Sequence, residues 1–149
     1  MKLQDPIEFV VKKKGREVYS IASTATVYEA LVLMANKRVG ALVVMDGSEL
    51  AGIFSERDYA RKVILAGGSS KEMKVSEIMS HPVITVQLSS TVDECMQHMT
   101  DRRCRHLPVM DEEKVIGVVS IGDLVNWIIS KQDQTIHDLE AYISGDYPA

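Results

Sequence analysis

The chain has 149 residues, 46% of them apolar and 26% charged, and a formal net charge of −4. Such values describe a soluble globular protein large enough for one ordinary domain, or two small ones sharing a core, and they exclude a disordered chain. A negative balance with no long basic run argues against nucleic-acid binding by phosphate neutralisation. The N-terminus carries charges throughout, so no secretory leader is expected, and no apolar stretch approaches the about 20 residues that cross a bilayer. Cys95 and Cys104 fit a reduced intracellular chain better than a disulfide scaffold, which makes the cytoplasm the expected location.

Asp5-Pro6 ahead of Ile7, Phe9, Val10 and Val11 predicts a short capped helix with Pro at its first position. Lys12-Lys13-Lys14-Gly15 would end it as a solvated, dipole-complementing terminus. This lead-in, residues 1–17, is expected to pack on the folded unit after it. Val18 to Ile21 reads as a strand, and Thr26 caps a helix with Val27, Ala30, Leu31 and Met34 at helical spacing. Two β runs, Ala41–Met45 and Leu50–Phe54, flank a hairpin turn at Asp46-Gly47-Ser48-Glu49. A second helix starts at Ser55 and carries Tyr59, Ala60, Val63, Ile64 and Leu65, completing a β-α-β-β-α unit over residues 18–66.

Residues 67–82 form a linker, with a polar Gly67–Lys71 breaker, a helical turn over Val75–Met79, and His81-Pro82. From Val83 the pattern returns at a constant offset of 65 residues. Thr91, Val92, Glu94 and Met99 repeat Thr26, Val27, Glu29 and Met34; Leu107, Val109, Met110 and Asp111 repeat Leu42, Val44, Met45 and Asp46. Gly117, Ser120 and Asp123 repeat Gly52, Ser55 and Asp58. An unslipping register over two such segments is an internal duplication, the second unit covering 83–130. Its last helix runs on through Ile136, Leu139 and Ile143 into a 131–149 extension closed by Gly145 and Pro148, and an apolar strip of that length often finishes its burial on a partner.

The duplicated β-α-β-β-α order, both Gly-hydrophobic-hydrophobic-Ser-x-x-Asp endings and Arg105-His106-Leu107-Pro108-Val109 resemble a tandem pair of CBS domains, the Bateman module. Ser55–Lys62 and Ser120–Leu124 are similar to stand-alone CBS pairs of signal transduction. The resemblance implies an α/β (α+β) fold of two pseudo-twofold-related repeats. It implies a regulatory module, not an enzyme, that binds AMP, ADP or ATP, or in some members NAD or S-adenosylmethionine, in clefts between the repeats. The Ser-x-x-Asp carboxylate would hold the ribose. A homodimer read by a protein partner is also implied.

An ionised carboxylate can accept from both hydroxyls of a ribose, and Asp58 and Asp123 are placed for that. Ser55 and the Ser120-Ile121-Gly122 stretch open a helix, where free N–H groups favour a phosphate. The same S-x-x-D pattern also describes a capping box, worth about 1 kcal/mol without any ligand. The motif alone favours capping; the resemblance favours ribose binding, more firmly at Asp123 than at Asp58, and both roles can coexist. Arg105 and His106 lie where the CBS fold aims side chains at a phosphate, whereas the first repeat has Gly40-Ala41 there, so the two clefts should differ. The expectation is therefore a nucleotide anchored by Asp123 with Arg105 or His106 toward its phosphate. Arg57 and Arg61 read as surface cations, with a phosphate role for Arg57 across the pseudo-twofold as the alternative. Thr85 and Ser20 occupy the entry strand that lines the base in this family, and are equally well ordinary strand hydroxyls. The cysteines lack C-x-x-C spacing, the histidines at 81, 98, 106 and 137 lack ligand spacing, and no nucleophile–base pair can be assembled, so neither metal nor catalytic cofactor is expected.

Overall fold

A computed structural model describes residues 3–144; Gly145 and Pro148 lie outside them. Its elements run α1 (Ile7–Lys14), β1 (Ser20–Ala22), α2 (Val27–Lys37), β2 (Ala41–Asp46), β3 (Glu49–Ser55), α3 (Glu56–Tyr59), a π-helical turn (Ala60–Ile64) and α4 (Val75–Ile78). The second half continues as β4 (Val86–Gln87), α5 (Val92–Arg102), β5 (His106–Asp111), β6 (Lys114–Ser120) and α6 (Ile121–Ser144). Each repeat is a three-stranded sheet with one parallel pair (β1–β2, β4–β5) and one hairpin (β2–β3, β5–β6). The registers coincide at the same offset, down to an irregularity after Val44 in one hairpin and after Val109 in the other. The duplication read from the sequence is thus a duplication of structure.

Local chemistry explains the element ends. Thr26 accepts from the Glu29 N–H while Glu29 reaches back to the Thr26 N–H, and Thr91 and Glu94 do the same for α5. These reciprocal bonds satisfy donors that a helix start leaves unpaired. Both helices end on an arginine in the left-handed region, Arg38 at φ 56° and Arg103 at φ 52°. The entry strands are shorter and later than Val18–Ile21 and Val83–Val86 suggest, leaving Thr85 just ahead of β4. The helix expected from Ser55 also changes form: after one α-turn it widens, with the Leu65 N–H donating to the Ala60 carbonyl.

The helices outside the repeats are exchanged. α4, from the linker ahead of the second repeat, buries Val75 and Ile78 in the core of the first, with Val27, Ala30, Met34, Leu42, Val44 and Phe54. α1, which precedes the first repeat, buries Ile7, Val10 and Val11 in the core of the second, with Val92, Cys95, Leu107, Val109 and Leu124. Backbone bonds fix both crossings: Ile7 N–H to Ser90 O at 2.6 Å, Val92 N–H to Asp5 O at 2.9 Å, Val27 N–H to Met73 O at 2.9 Å, and Val75 N–H to Ala25 O at 2.8 Å. Pro6 therefore sits at the N-cap and bridges to Thr91 instead of occupying the first helical position, and Asp5 accepts from the Trp127 indole instead of capping α1.

The motif glycines serve these crossings. A Cβ on Gly52 would fall 3.0 Å from the Ser80 carbonyl oxygen, where the linker pairs with β3, and one on Gly117 would fall 3.2 Å from Val11 of α1. Because Ile7 is fully buried in the second repeat, Ile7→Ala should lower unfolding stability by about 2–5 kcal/mol. Urea denaturation measures it, and a loss below about 1 kcal/mol would mean that α1 is only loosely docked.

Candidate functional site

Two clefts lie between the repeats, each starting at a hairpin-to-helix junction. At the first, Asp58 is buried at 8% exposure and both carboxylate oxygens are engaged. Oδ2 accepts from the Ser55 N–H at 3.0 Å and the Ser55 hydroxyl at 3.1 Å, and Oδ1 from the Ser80 hydroxyl at 3.0 Å with Lys62 Nζ at 3.3 Å. At the second, Asp123 Oδ2 accepts from the Ser120 N–H at 2.8 Å and from Lys14 Nζ at 2.6 Å, while the Asp123 N–H donates to Ser120 Oγ at 3.1 Å. Asp123 Oδ1 has no hydrogen-bond partner among the described residues. Both S-x-x-D motifs are therefore formed capping boxes, and the carboxylates stand at the cleft walls.

Lys14 differs from its sequence reading. Rather than forming part of a solvated helix end, its ammonium crosses to the second junction, donating to the Val118 carbonyl at 2.7 Å as well as to Asp123. Lys13 reaches Ser130 Oγ at 3.2 Å and lies over the Trp127 ring, while Lys12 keeps to an exposed pair with Glu8. The exchange of α1 brings this about, since it carries the lead-in to the second repeat.

The clefts draw their walls from both repeats. The first, about 320 Å³, sets Ser55 and Asp58 opposite Arg103, Cys104, Arg105 and His106. Five permanent cations, Arg57, Arg61, Lys62, Arg103 and Arg105, line it against two carboxylates, Glu56 and Asp58. Arg57 spans the gap, its guanidinium 3.5 Å from the Arg103 carbonyl, and the widened turn after α3 brings Arg61 and Lys62 to the wall. The second, about 380 Å³, sets Ser120 and Asp123 opposite Lys37, Arg38, Val39, Gly40 and Ala41, with Lys14 and Glu17 from the lead-in and Tyr19 from the start of the first repeat. Both volumes are at the small end of the range for small-molecule sites.

Arg105 therefore lies with Asp58, not with Asp123, where sequence alignment alone would put it. Its backbone does serve its own junction, accepting from the Ile121 N–H at 2.8 Å. His106 pairs with Ser120 across β5 and β6 and lines both clefts, and Gly40 makes room for it: a Cβ there would already touch Nε2 at 3.6 Å. Burial, aided by the Lys14 and Arg105 charges and opposed by Asp123, pushes the His106 imidazole below its ordinary value. Thr85 and Ser20 are not among the residues lining either cleft, and Gly122 is exposed beyond the Ser120 hydroxyl. Sequence reasoning missed Ser80, Lys14 and Tyr19. Of these, Tyr19 alone left a signal, as the aromatic beside Ser20 in the expected entry strand; its hydroxyl donates to Glu17 at 2.6 Å.

A groove of about 590 Å³ between α5 and α6 is roomier but mostly apolar, lined by residues such as Met96, Ile128 and Ile136, with Lys131 its one permanent cation and Asp93 beside it, so it suits a polyphosphate less well than the first cleft. Among the described residues no group of three His, Cys, Asp or Glu side chains could hold a metal, and no helix is long and apolar enough to cross a membrane.

Residues 13–64 and 75–130 each match the CBS domain model, so the chain belongs to the CBS-domain family as a tandem pair, a regulatory module. Among proteins of known sequence it is 43% identical over 150 residues to the mitochondrial CBS domain-containing protein CBSX3 of Arabidopsis thaliana, covering 95% of this chain and 73% of that one. Among solved structures it is similar to a CBS-domain signal-transduction protein from Burkholderia ambifaria, with 48% identity, a TM-score of 0.82, and coverage of 86% of this chain and 96% of that one. The CBS pair of protein MJ0100, solved with 5′-methylthioadenosine and S-adenosyl-L-methionine, shares the fold at 22% identity, with a TM-score of 0.74 over 85% of this chain and 98% of that one.

Neither thiol is poised for chemistry. Burial, then the Glu94 charge, pushes Cys95 up to about 12, and burial also raises Cys104. Cys95 should therefore resist Ellman's reagent in the native protein at pH 8 and react only after unfolding in guanidinium. Rapid native labelling of Cys95, located by peptide mass spectrometry, would contradict that placement.

Proposed function

We propose that this module is a cytoplasmic sensor that binds an adenine nucleotide between its repeats and catalyses no reaction on it. The observation that carries the reading is the first cleft. A carboxylate at a helix start, the acceptor chemistry of a ribose, shares its cleft with four arginines, Arg57 and Arg61 beside it and Arg103 and Arg105 opposite, the donor chemistry of phosphates, on a chain of net charge −4. ATP, ADP or NAD suits that cation count better than a neutral adenosine derivative, although MJ0100 holds adenosine compounds on the same fold. A ribose at Asp58 would replace the Ser80 hydroxyl or Lys62. One at Asp123 would use the open Oδ1 and compete with Lys14 for Oδ2. Because each cleft joins both repeats, occupancy changes their relative angle, which a dimer or a protein partner can read.

A second reading has its own support: both capping boxes are complete without a ligand. On that reading the module is a scaffold, and neither Asp58 nor Asp123 meets a nucleotide. Thermal-shift titration separates the two, since a ligand at 100 times its Kd stabilises by about 2.7 kcal/mol. ATP, AMP or NAD should raise the melting temperature by several degrees; no shift with any of them would leave the scaffold.

If the clefts are placed correctly, Arg105→Ala and Asp58→Asn weaken the same binding event, while Asp123→Ala acts on another. Calorimetric titration should show about a tenfold or larger loss for Arg105→Ala, from one charge-assisted phosphate bond of roughly 1.5–3 kcal/mol. Arg105→Ala and Asp123→Ala acting on one and the same event would contradict the assignment.

His106 supplies a pH test. Its ordinary value of 6.5 is lowered in the free protein, so it is neutral above that pH, and an adjacent phosphate favours the imidazolium. Binding then takes up a proton, and affinity rises as pH falls from 8 toward 6. Titrations in two buffers of different ionisation enthalpy should show proton uptake near pH 6.5 that His106→Asn removes; equal uptake in that variant would take His106 away from the phosphate.

A further inference from the structure

The outer part of α6 meets the rest of the fold along one edge only among the described residues: Lys13 reaches Ser130, Lys131 pairs with Asp5 at 3.8 Å, and Gln132, Thr135 and Ile136 line one wall of the α5–α6 groove. Leu124, fully buried, anchors its first turn in the second repeat, but every residue from Ile129 to Glu140 is exposed. The local supports out there are few, among them the Gln134 amide to Asp138 at 2.9 Å and the Thr135 hydroxyl to the Lys131 carbonyl at 3.0 Å. A helical projection of that length is marginal in water on its own.

Its exposed apolar residues obey one rule. Ile129, Ile136 and Ile143 recur every seven residues, and Val125, Gln132 and Leu139 fall in the alternate positions of the same heptads. The five apolar members are 41–83% exposed. At about 100° per residue this seam lies roughly a quarter turn from the core-facing Leu124, so burying it does not disturb the core. A 3.5-residue seam is the pattern of a coiled coil, and β-branched Ile at one position with Leu at the other favours two parallel strands.

We propose that the occupant of this seam is α6 of a second copy, in a parallel two-stranded coiled coil. Two features select that partner and direction. In parallel register Gln132 meets the same amide of its mate across the seam, whereas an antiparallel pairing centred on this segment would bury it against isoleucine. The acids flanking the seam, Asp133 and Glu140, lie on one side only; opposite strands would bring Asp133 against its own copy, and parallel strands place both acids beside the uncharged Ile128 and Thr135. Like sequence thus matches like sequence in charge and polarity.

Sedimentation of the full chain at about 50 μM tests this, with far-ultraviolet circular dichroism to confirm folding. The wild type sediments as a dimer, and Ile136→Asp, a change at a 54% exposed position outside the core, raises the dimer dissociation constant at least a hundredfold. Gln132→Leu tightens the dimer, and in a Cys104→Ser background, which leaves only the buried Cys95, Leu139→Cys gives a disulfide-linked dimer under mild oxidation that the background alone does not form. A monomeric wild type, or a dimer unchanged by Ile136→Asp, would overturn the interface. A dimer in which Leu139→Cys fails to cross-link would overturn the parallel direction.

Discussion

The exchange of the two extra-repeat helices is the constraint on which the other features depend. Neither repeat closes its own core: α4 completes the first and α1 completes the second. The crossings are fixed by backbone pairs and by side chains almost wholly withdrawn from water, so separating the repeats would expose both cores together. The motif glycines are a consequence, because an exchanged segment passes closer to Gly52 and Gly117 than a Cβ would comfortably allow. The clefts are another, since interlocked repeats hold the junction of one against the loop of the other.

The same exchange makes the clefts unequal. Lys14 and Met79 are equivalent by the 65-residue offset, but the lysine reaches Asp123 while the methionine packs over Gly52. At the first junction the neighbouring Ser80 takes up Asp58 together with Lys62, and the arginines around it line the cleft. Arg105-His106 against Gly40-Ala41 adds a second asymmetry near the pseudo-twofold, where a small pair on one side lets a large pair cross from the other. Both carboxylates pair with a lysine, Asp58 with Lys62 of its own turn and Asp123 with Lys14 of the lead-in, but only the first cleft gathers four arginines.

Much of the fold was legible in the sequence because its signals are local. The hairpin at Asp46–Glu49, the Thr26 cap with its repeat at Thr91, and buried Met34 and Met99 depend on neighbours within a few residues, and the duplication showed each twice. The junction carboxylates were legible for the same reason. The helix exchange was not, because α1 and α4 share too little sequence to reveal that they are structural equivalents. Its consequences were therefore hidden too. Lys14 reads as a solvated helix end, and alignment assigns Arg105 to Asp123 because it compares repeats side by side while the fold sets them across from each other.

The central claim is that the nucleotide cleft is shared by the repeats: Asp58 comes from the first, with Arg57 beside it, and Arg103 and Arg105 come from the second. A crystal structure of the protein soaked with ATP tests it most directly. The account predicts density with the ribose at Asp58 and phosphates among Arg57, Arg103 and Arg105. Density for ATP in the groove between α5 and α6, with both junctions unchanged, would contradict it.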